Sequence, residues 1–415
     1  MTPRETHADV VVVGGGPAGL TAARALCEAG VGSVVVLERE SEAGGIPRHS
    51  HHTGYGLRDM RRVLQGPDYA RRLTLAAVDA GADVRSGAMA TGWADGLTLE
   101  VTSPLGRELV SARAVVLATG ARERPRAARR IPGDRPAGVL TTGQLQSLVH
   151  LKGRRVGESA VIVGAELVSW SAALTLREVG CGTALMTTEH VRVDSYAAFA
   201  IPGRLALRVP LATRTRVLRV LGRERVTGVE VEALDTGARR IVNCDTVVFT
   251  GNWIPDNELA RLRGVDIDPR HLGPLVDTAL RTSADGVFAA GNLLHPVDTA
   301  DVAALDGGHV AAQVSRFLAG NRRGASAVRL VAADPLLWVA PGLMRPGDPA
   351  PPRERLVAWA SEYHRLPHVE ARQDGQLLAR RRLPWPLAPG RAFRIPWGLV
   401  SQARADDGDV TLSIA

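Results

Sequence analysis

Val10-Val11-Val12-Val13-Gly14-Gly15-Gly16-Pro17-Ala18-Gly19 runs from an apolar strand pattern through a glycine turn into the start of a helix. Gly14, Gly16 and Gly19 stand at the GxGxxG spacing. The first glycine permits the tight turn, the second lets a pyrophosphate approach bare backbone, and the third lets helix and strand pack closely. The N–H groups and dipole of the new helix then face the phosphates. A second apolar run, Val34-Val35-Val36-Leu37-Glu38, ends in a carboxylate where ribose hydroxyls would be read. Strand, helix and acidic terminus together predict a dinucleotide site.

Outward from this stretch, the chain repeats itself. Val11-Val12-Val13-Gly14 superposes on Val161-Ile162-Val163-Gly164 at an offset of 150 residues, with Ala22-Ala23 on Ala172-Ala173, Gly30 on Gly180 and Gly32 on Gly182. Each copy reads as strand, glycine turn, helix, glycine stop and second strand, one βαβ unit. Each copy then shows period-two alternation, at Leu97 to Val101 and Val229 to Glu232. A strand ending in Thr-Gly follows, at Thr119-Gly120 and Thr250-Gly251. A third apolar strand, Val287 to Ala290, and a helix from about Thr299 to Phe317 are assigned back to the first copy.

The expected fold is therefore α/β, with two Rossmann-like dinucleotide-binding domains of the three-layer ββα type, the second inserted in the first. The expected boundaries are 1–120 with 253–324, then 121–252, then a small β-rich domain at 325–415. That tail is rich in proline and carries a hairpin signal, His368 to Arg372 and Gln376 to Arg380 around Asp374-Gly375. It shows no catalytic motif and reads as a cap or a partner interface.

Composition narrows the function. Hydrophobic residues at 45% and charged residues at 23% are those of a globular protein. The net charge of +8 is carried almost wholly by arginine, Lys152 being the single lysine. The arginines are dispersed, which argues against nucleic acid. Arg122, Arg124, Arg126, Arg129 and Arg130 form a basic linker, either solvated or a docking surface for an acidic partner. No apolar run is long enough to span a bilayer and no leader precedes the first strand, so the expected location is cytoplasmic. Cys27, Cys181 and Cys244 make no CxxC pair. From this we expect neither a four-cysteine iron–sulfur cluster on this chain nor dithiol/disulfide reductase activity.

The second copy of the fingerprint is damaged. Glu166 falls on Gly16 and Ser169 on Gly19, putting a side chain and a negative charge where two phosphates would lie. Thr188 replaces the ribose carboxylate, although Glu189 follows it. NAD(P) binding at this copy is doubtful; were it to occur, Arg192 would be available for a phosphate.

GGGPAG, the Gly44-Gly45 pair, Ala118-Thr119-Gly120 and Val287-Phe288-Ala289-Ala290-Gly291-Asn292 resemble the pyridine nucleotide–disulfide oxidoreductase superfamily over roughly residues 8–320. Within it the chain most resembles FAD subunits of the sarcosine oxidase, opine oxidase and hydrogen cyanide synthase group. The resemblance implies FAD at the first site. Its contacts would be Gly14, Gly16, Pro17, Ala18, Gly19, Glu38, Arg39, Gly45, Arg48, Ala118, Thr119, Gly120, Gly291, Asn292, Thr299 and Ala300. Asn292 stands where the family carries aspartate; an amide still bonds a ribityl hydroxyl.

The helix after Asn292 would offer its positive end to the flavin N1–C2=O edge. The resemblance also implies an FAD-dependent oxidoreductase that moves a hydride between a small amine, amino acid or hydroxy acid and flavin N5. Its partner would be a second flavoprotein or an iron–sulfur protein. Alternatives are an NAD(P)H-dependent flavin reductase and a non-catalytic electron-relay scaffold. Candidate acid–base residues are His49, His51 and His52 in the loop after Gly45, and His295. The loop histidines can equally serve as polar contacts to the pyrophosphate, and their spacing fits no familiar metal site, so no metal is expected.

Overall fold

A computed structural model of the chain describes residues 4–321, 326–345 and 347–415. The first sheet is built outward from Arg4–Val13, which lies between the parallel strands Val34–Glu38 and Gly106–Leu117. Val10, Val11 and Val12 are fully buried because helices or meander strands cover both faces. Each such side chain stabilises the fold by roughly 1.5–3 kcal/mol. Asp83–Ser86 extends one edge. On the other edge Gly106–Leu117 is long enough to be shared. Its first half pairs with the antiparallel strands Thr98–Ser103 and Met89–Trp93, and its end pairs in parallel with Val287–Ala289.

The helix Pro17–Glu28 starts with Pro17 in its first turn and stops at Gly30, whose φ of +77° is the left-handed stop. It packs on the helix Ala300–Leu318. Close approach is possible because Gly307 faces the carbonyl of Ala18, which a Cβ would strike.

The inserted domain repeats the plan. Five parallel strands run in the order Val139–Thr141, Thr246–Phe249, Ser159–Val163, Gly182–Thr187 and Leu211–Ala212. Its helix Leu167–Glu178 matches Pro17–Glu28 residue for residue at the offset seen in sequence. A meander of Thr215–Leu221, Gly228–Ala233 and Arg239–Asn243 covers one face. The chain crosses between the domains twice, and the crossovers Ala121–Glu123 and Trp253–Pro255 pair antiparallel.

The C-terminal β-rich region forms two sheets around its own core. One holds Val328–Ala332, Val410–Ile414, His368–Gln373 and Gln376–Arg382; the other holds Leu336–Ala340, Arg355–Ala360 and Phe393–Pro396. The hairpin turn is Asp374-Gly375, both at positive φ.

Three arginines of the linker bond the chain itself, while Arg130 is exposed. Arg122 pairs with Asp256 and Glu258 across the crossovers. Arg126 donates to the carbonyls of Ile131 and Pro132. Arg129 donates to Arg124, Thr250 and Gly251 carbonyls and lies over the Phe249 ring. Arg126 and Arg129 thus bond loop carbonyls beside the crossovers.

Candidate functional site

The cradle at the first strand's end is open. Gly14 has φ +109° and touches the carbonyl of Ala118, so no other residue fits there. Above Gly16 there is nothing within 4 Å of where a Cβ would stand. No side chain caps the helix start at Gly16. Its first N–H groups therefore face that space without a protein partner. Gly44 donates to the Gly15 carbonyl at 2.7 Å, folding the Gly44-Gly45 loop back over Gly16 and Pro17.

Glu38, buried at the end of its strand, accepts from the N–H groups of Gly15 (2.9 Å) and Glu40 (2.8 Å). Arg39 reaches Asp256 at 3.4 Å, and Arg48 donates to the Glu42 carbonyl at 2.7 Å. Thr119 donates to the Asp256 carbonyl at 2.7 Å, tying the crossovers together at the cradle's rim. Gly291 has φ +71° and lies against Ala18. Asn292 donates to the Asp298 carbonyl at 3.0 Å, while its Oδ1 is buried with no partner among the described residues. Thr299 stands at the start of the helix that begins at Ala300. Open backbone donors for phosphates and an orphaned buried acceptor for a hydroxyl are what a flavin dinucleotide requires.

At the second cradle the same helix start is closed. The Glu166 carboxylate accepts from the N–H of Ser169, and the Ser169 hydroxyl accepts from the N–H of Glu166 at 3.1 Å, a reciprocal capping box. The carboxylate lies against Gly251, where a Cβ would collide with it. Burial, reinforced by the Asp194 carboxylate, pushes the Glu166 pKa up to about 7. Ser169 and Thr250 hydroxyls bond at 2.7 Å where the third glycine would leave room.

Beyond the second strand, Thr188 donates to Asp194 at 2.8 Å and His190 Nδ1 meets Asp194 at 2.6 Å, filling the ribose position. Arg391 of the C-terminal region donates to the Asp194 carbonyl at 2.8 Å. Arg192 stacks on Tyr363 of the C-terminal region at 4.6 Å. These residues do not fit a nicotinamide dinucleotide.

The histidine loop turns away from the cradle. His51 stacks on His150 of the inserted domain, rings 3.9 Å apart, and the His49 carbonyl accepts from His150 at 2.6 Å. His51 and His52 line a cavity of about 330 Å³ to which none of the cradle glycines contributes. His49 is largely buried, and desolvation with the Arg48 charge lowers its pKa to about 4. His295 lies elsewhere, buried, its Nε2 on the Asp306 carboxylate, whose other oxygen takes Arg353 of the C-terminal region at 2.8 Å. Burial pulls the His295 pKa down, but Asp306 outweighs it and the net shift is upward. Among the described residues the buried His295 Nδ1 has no partner. Sequence reading missed Glu123, His150, Asp306 and Arg353, because each acts on a residue at least eleven positions away.

The family model for pyridine nucleotide-disulphide oxidoreductases matches residues 8–307. The chain belongs to that family. Its members bind FAD and carry NAD(P) at a second site, and this pyridine nucleotide-disulphide oxidoreductase takes FAD in turn. It is 26% identical over 355 residues to an opine oxidase subunit from Rhizobium meliloti, covering 78% of this chain and 65% of that one. The chain thus spans less than two thirds of that relative's length. It is 28% identical over 297 residues to thioredoxin reductase of Treponema pallidum, covering 70% and 90% of the two chains.

Among solved structures, T. acidophilum thioredoxin reductase superposes with a TM-score of 0.64 at 21% identity, over 76% of this chain and 99% of that one. These relatives overturn the exclusion of disulfide reductase activity drawn from cysteine spacing. Spacing rules out only a local CxxC pair on this chain, not a disulfide as the molecule acted on. Among the described residues no helix is long and apolar enough to cross a membrane.

Proposed function

We propose that this chain is the FAD-carrying subunit of a dehydrogenase or oxidase acting on a small amine, amino acid or hydroxy acid. One observation carries the reading: the first helix start is open and the second is occupied by the chain's own Glu166. A flavin then has a seat, and electrons reach it from substrate or a partner chain rather than from a nicotinamide. Similarity to a protein named as an oxidase subunit supports the partner.

Bound FAD supplies a two-electron acceptor at N5 for a hydride leaving a substrate carbon. Gly14, Gly16, Pro17, Ala18 and Gly19 would hold the pyrophosphate, with Gly45 and Arg48 over it. Glu38 and Arg39 would hold the adenosine ribose. Ala118, Thr119 and Gly120 would line the crossover side, and Asn292 and Gly291 the ribityl chain. The helix start at Thr299 and Ala300 would favour negative charge on the isoalloxazine edge. His295, fixed through Nε2 by Asp306 and with its buried Nδ1 unpartnered among the described residues, would hold a proton released by substrate.

Anaerobic mixing of the FAD-loaded protein with NADH or NADPH tests this. We expect slow or no bleaching of the flavin band, and rapid bleaching by a member of an amine, amino acid and hydroxy acid panel, alone or with the adjacent gene product. Rapid stoichiometric bleaching by either nicotinamide would overturn it. Disulfides belong among the acceptors tried, given the thioredoxin reductase relatives.

A further inference from the structure

We propose that His51, His150 and Glu178 form a site for a divalent transition metal of the zinc class, clasping the FAD-binding domain to the inserted one. Their donor atoms all lie within 4.8 Å of one another. His51 comes from the loop after Gly45, His150 from the turn Ser147–Leu151, and Glu178 from the last position of the helix Leu167–Glu178.

The argument starts at His150, whose side chain is 3% exposed. Its Nδ1 sits 2.6 Å from the His49 carbonyl oxygen. A carbonyl only accepts, so Nδ1 carries the hydrogen. Nε2 faces a Glu178 carboxylate oxygen at 3.0 Å, a separation that either a proton on the ring or a metal ion bound by both groups satisfies. A backbone carbonyl fixing the far nitrogen is also the usual support of a metal-bound histidine.

His51, parallel to His150 within 3°, supplies a third donor. His51 and Glu178 are exposed. A turn of the His51 ring out of the stack and a small movement of Glu178 bring the donors to the ~3.3 Å separations of a tetrahedral ion with ~2.0–2.1 Å bonds. The fourth position then opens into the cavity lined by His52, Thr175 and Arg177. Arg177, with Arg154 and Arg155 on the adjoining cavity wall, is an opposing charge, and the Arg177 guanidinium is engaged by the Ala206 carbonyl at 3.1 Å.

Titrating zinc ions alone into the FAD-loaded protein by calorimetry tests the assignment. We expect one saturable site at micromolar zinc, and cobalt ions should give the intense visible bands of four-coordination. His150→Gln and Glu178→Gln should each weaken zinc binding by about 10–100-fold. Their flavin spectra should match the parent, which shows that they fold. Zinc should raise the melting temperature of the parent and not of these variants. No saturable binding by the parent, or unchanged affinity in both variants, would overturn the site and leave His150 and Glu178 as a proton-bridged pair. Neither readout depends on which donor reduces the flavin.

Discussion

Residues 16 and 166 stand at the same place in two copies of one unit, and they differ in who satisfies the helix. At Gly16 the helix start is bare and waits for a ligand. At Glu166 the chain supplies its own anion, bonded to the Ser169 N–H. Caps of this kind are worth about 0.5–2 kcal/mol. The second copy therefore holds as stability what the first copy leaves to be supplied by binding. The returning loops repeat the contrast. Gly44 donates to Gly15 and Ser195 donates to Ala165, so the backbone path is kept. But the first loop continues as Gly45, which leaves the cradle clear, and the second carries Asp194, bonded to Thr188 and His190.

The sharpest way to break this comparison is to exchange the two residues. Gly16→Glu should abolish FAD retention, giving colourless protein; a yellow variant would show that the open helix start is not the seat. The reverse change, Glu166→Gly with Ser169→Gly, should take NADH binding from undetectable to micromolar by calorimetry. Micromolar affinity in the unmodified protein would mean that Glu166 swings aside.

Glu166→Gln probes the charge. The wild-type carboxyl titrates near 7 in the fold against 4.5 in the open chain. The folded state binds the extra proton, so its stability is greatest below pH 4.5 and falls as pH rises toward 7. At about 1.4 kcal/mol per unit, that is at most about 3 kcal/mol before solvent screening. Denaturant midpoints of Glu166→Gln should lack this slope. Arg391→Ala, which frees the loop over the second cradle, should cost only about 1–2 kcal/mol, read as a lowered melting temperature.

Much of this was legible in the residues because it is local. Three glycines at fixed spacing, a repeat without gaps and an Asp-Gly turn each declare themselves within a few positions. That Glu166 puts a side chain and a charge at the phosphate position was equally plain. That it caps its own helix was not, because the box reads glutamate first and serine third, the reverse of the familiar order. Contacts closed across long separations were invisible. His49 meets His150 across 101 positions. Val328–Ala332 pairs with Val410–Ile414 across the whole C-terminal region. Arg192, read as a spare cation, found Tyr363 instead. Each of these depends on where a distant element docks, which no periodicity encodes.

The link between Arg353 and the buried His295–Asp306 pair has a practical consequence. The C-terminal region has its own core, which suggests a removable appendage. Cutting it away would strip the Arg353 guanidinium from Asp306, and Arg394 from Asp298. Hydrogen bonds to charged groups are worth about 1.5–3 kcal/mol each, so the pair is a large share of what holds an ordinary domain together. A minimal flavoprotein made by truncation should therefore be the wrong starting point for crystallisation or assay, however natural the boundary looks.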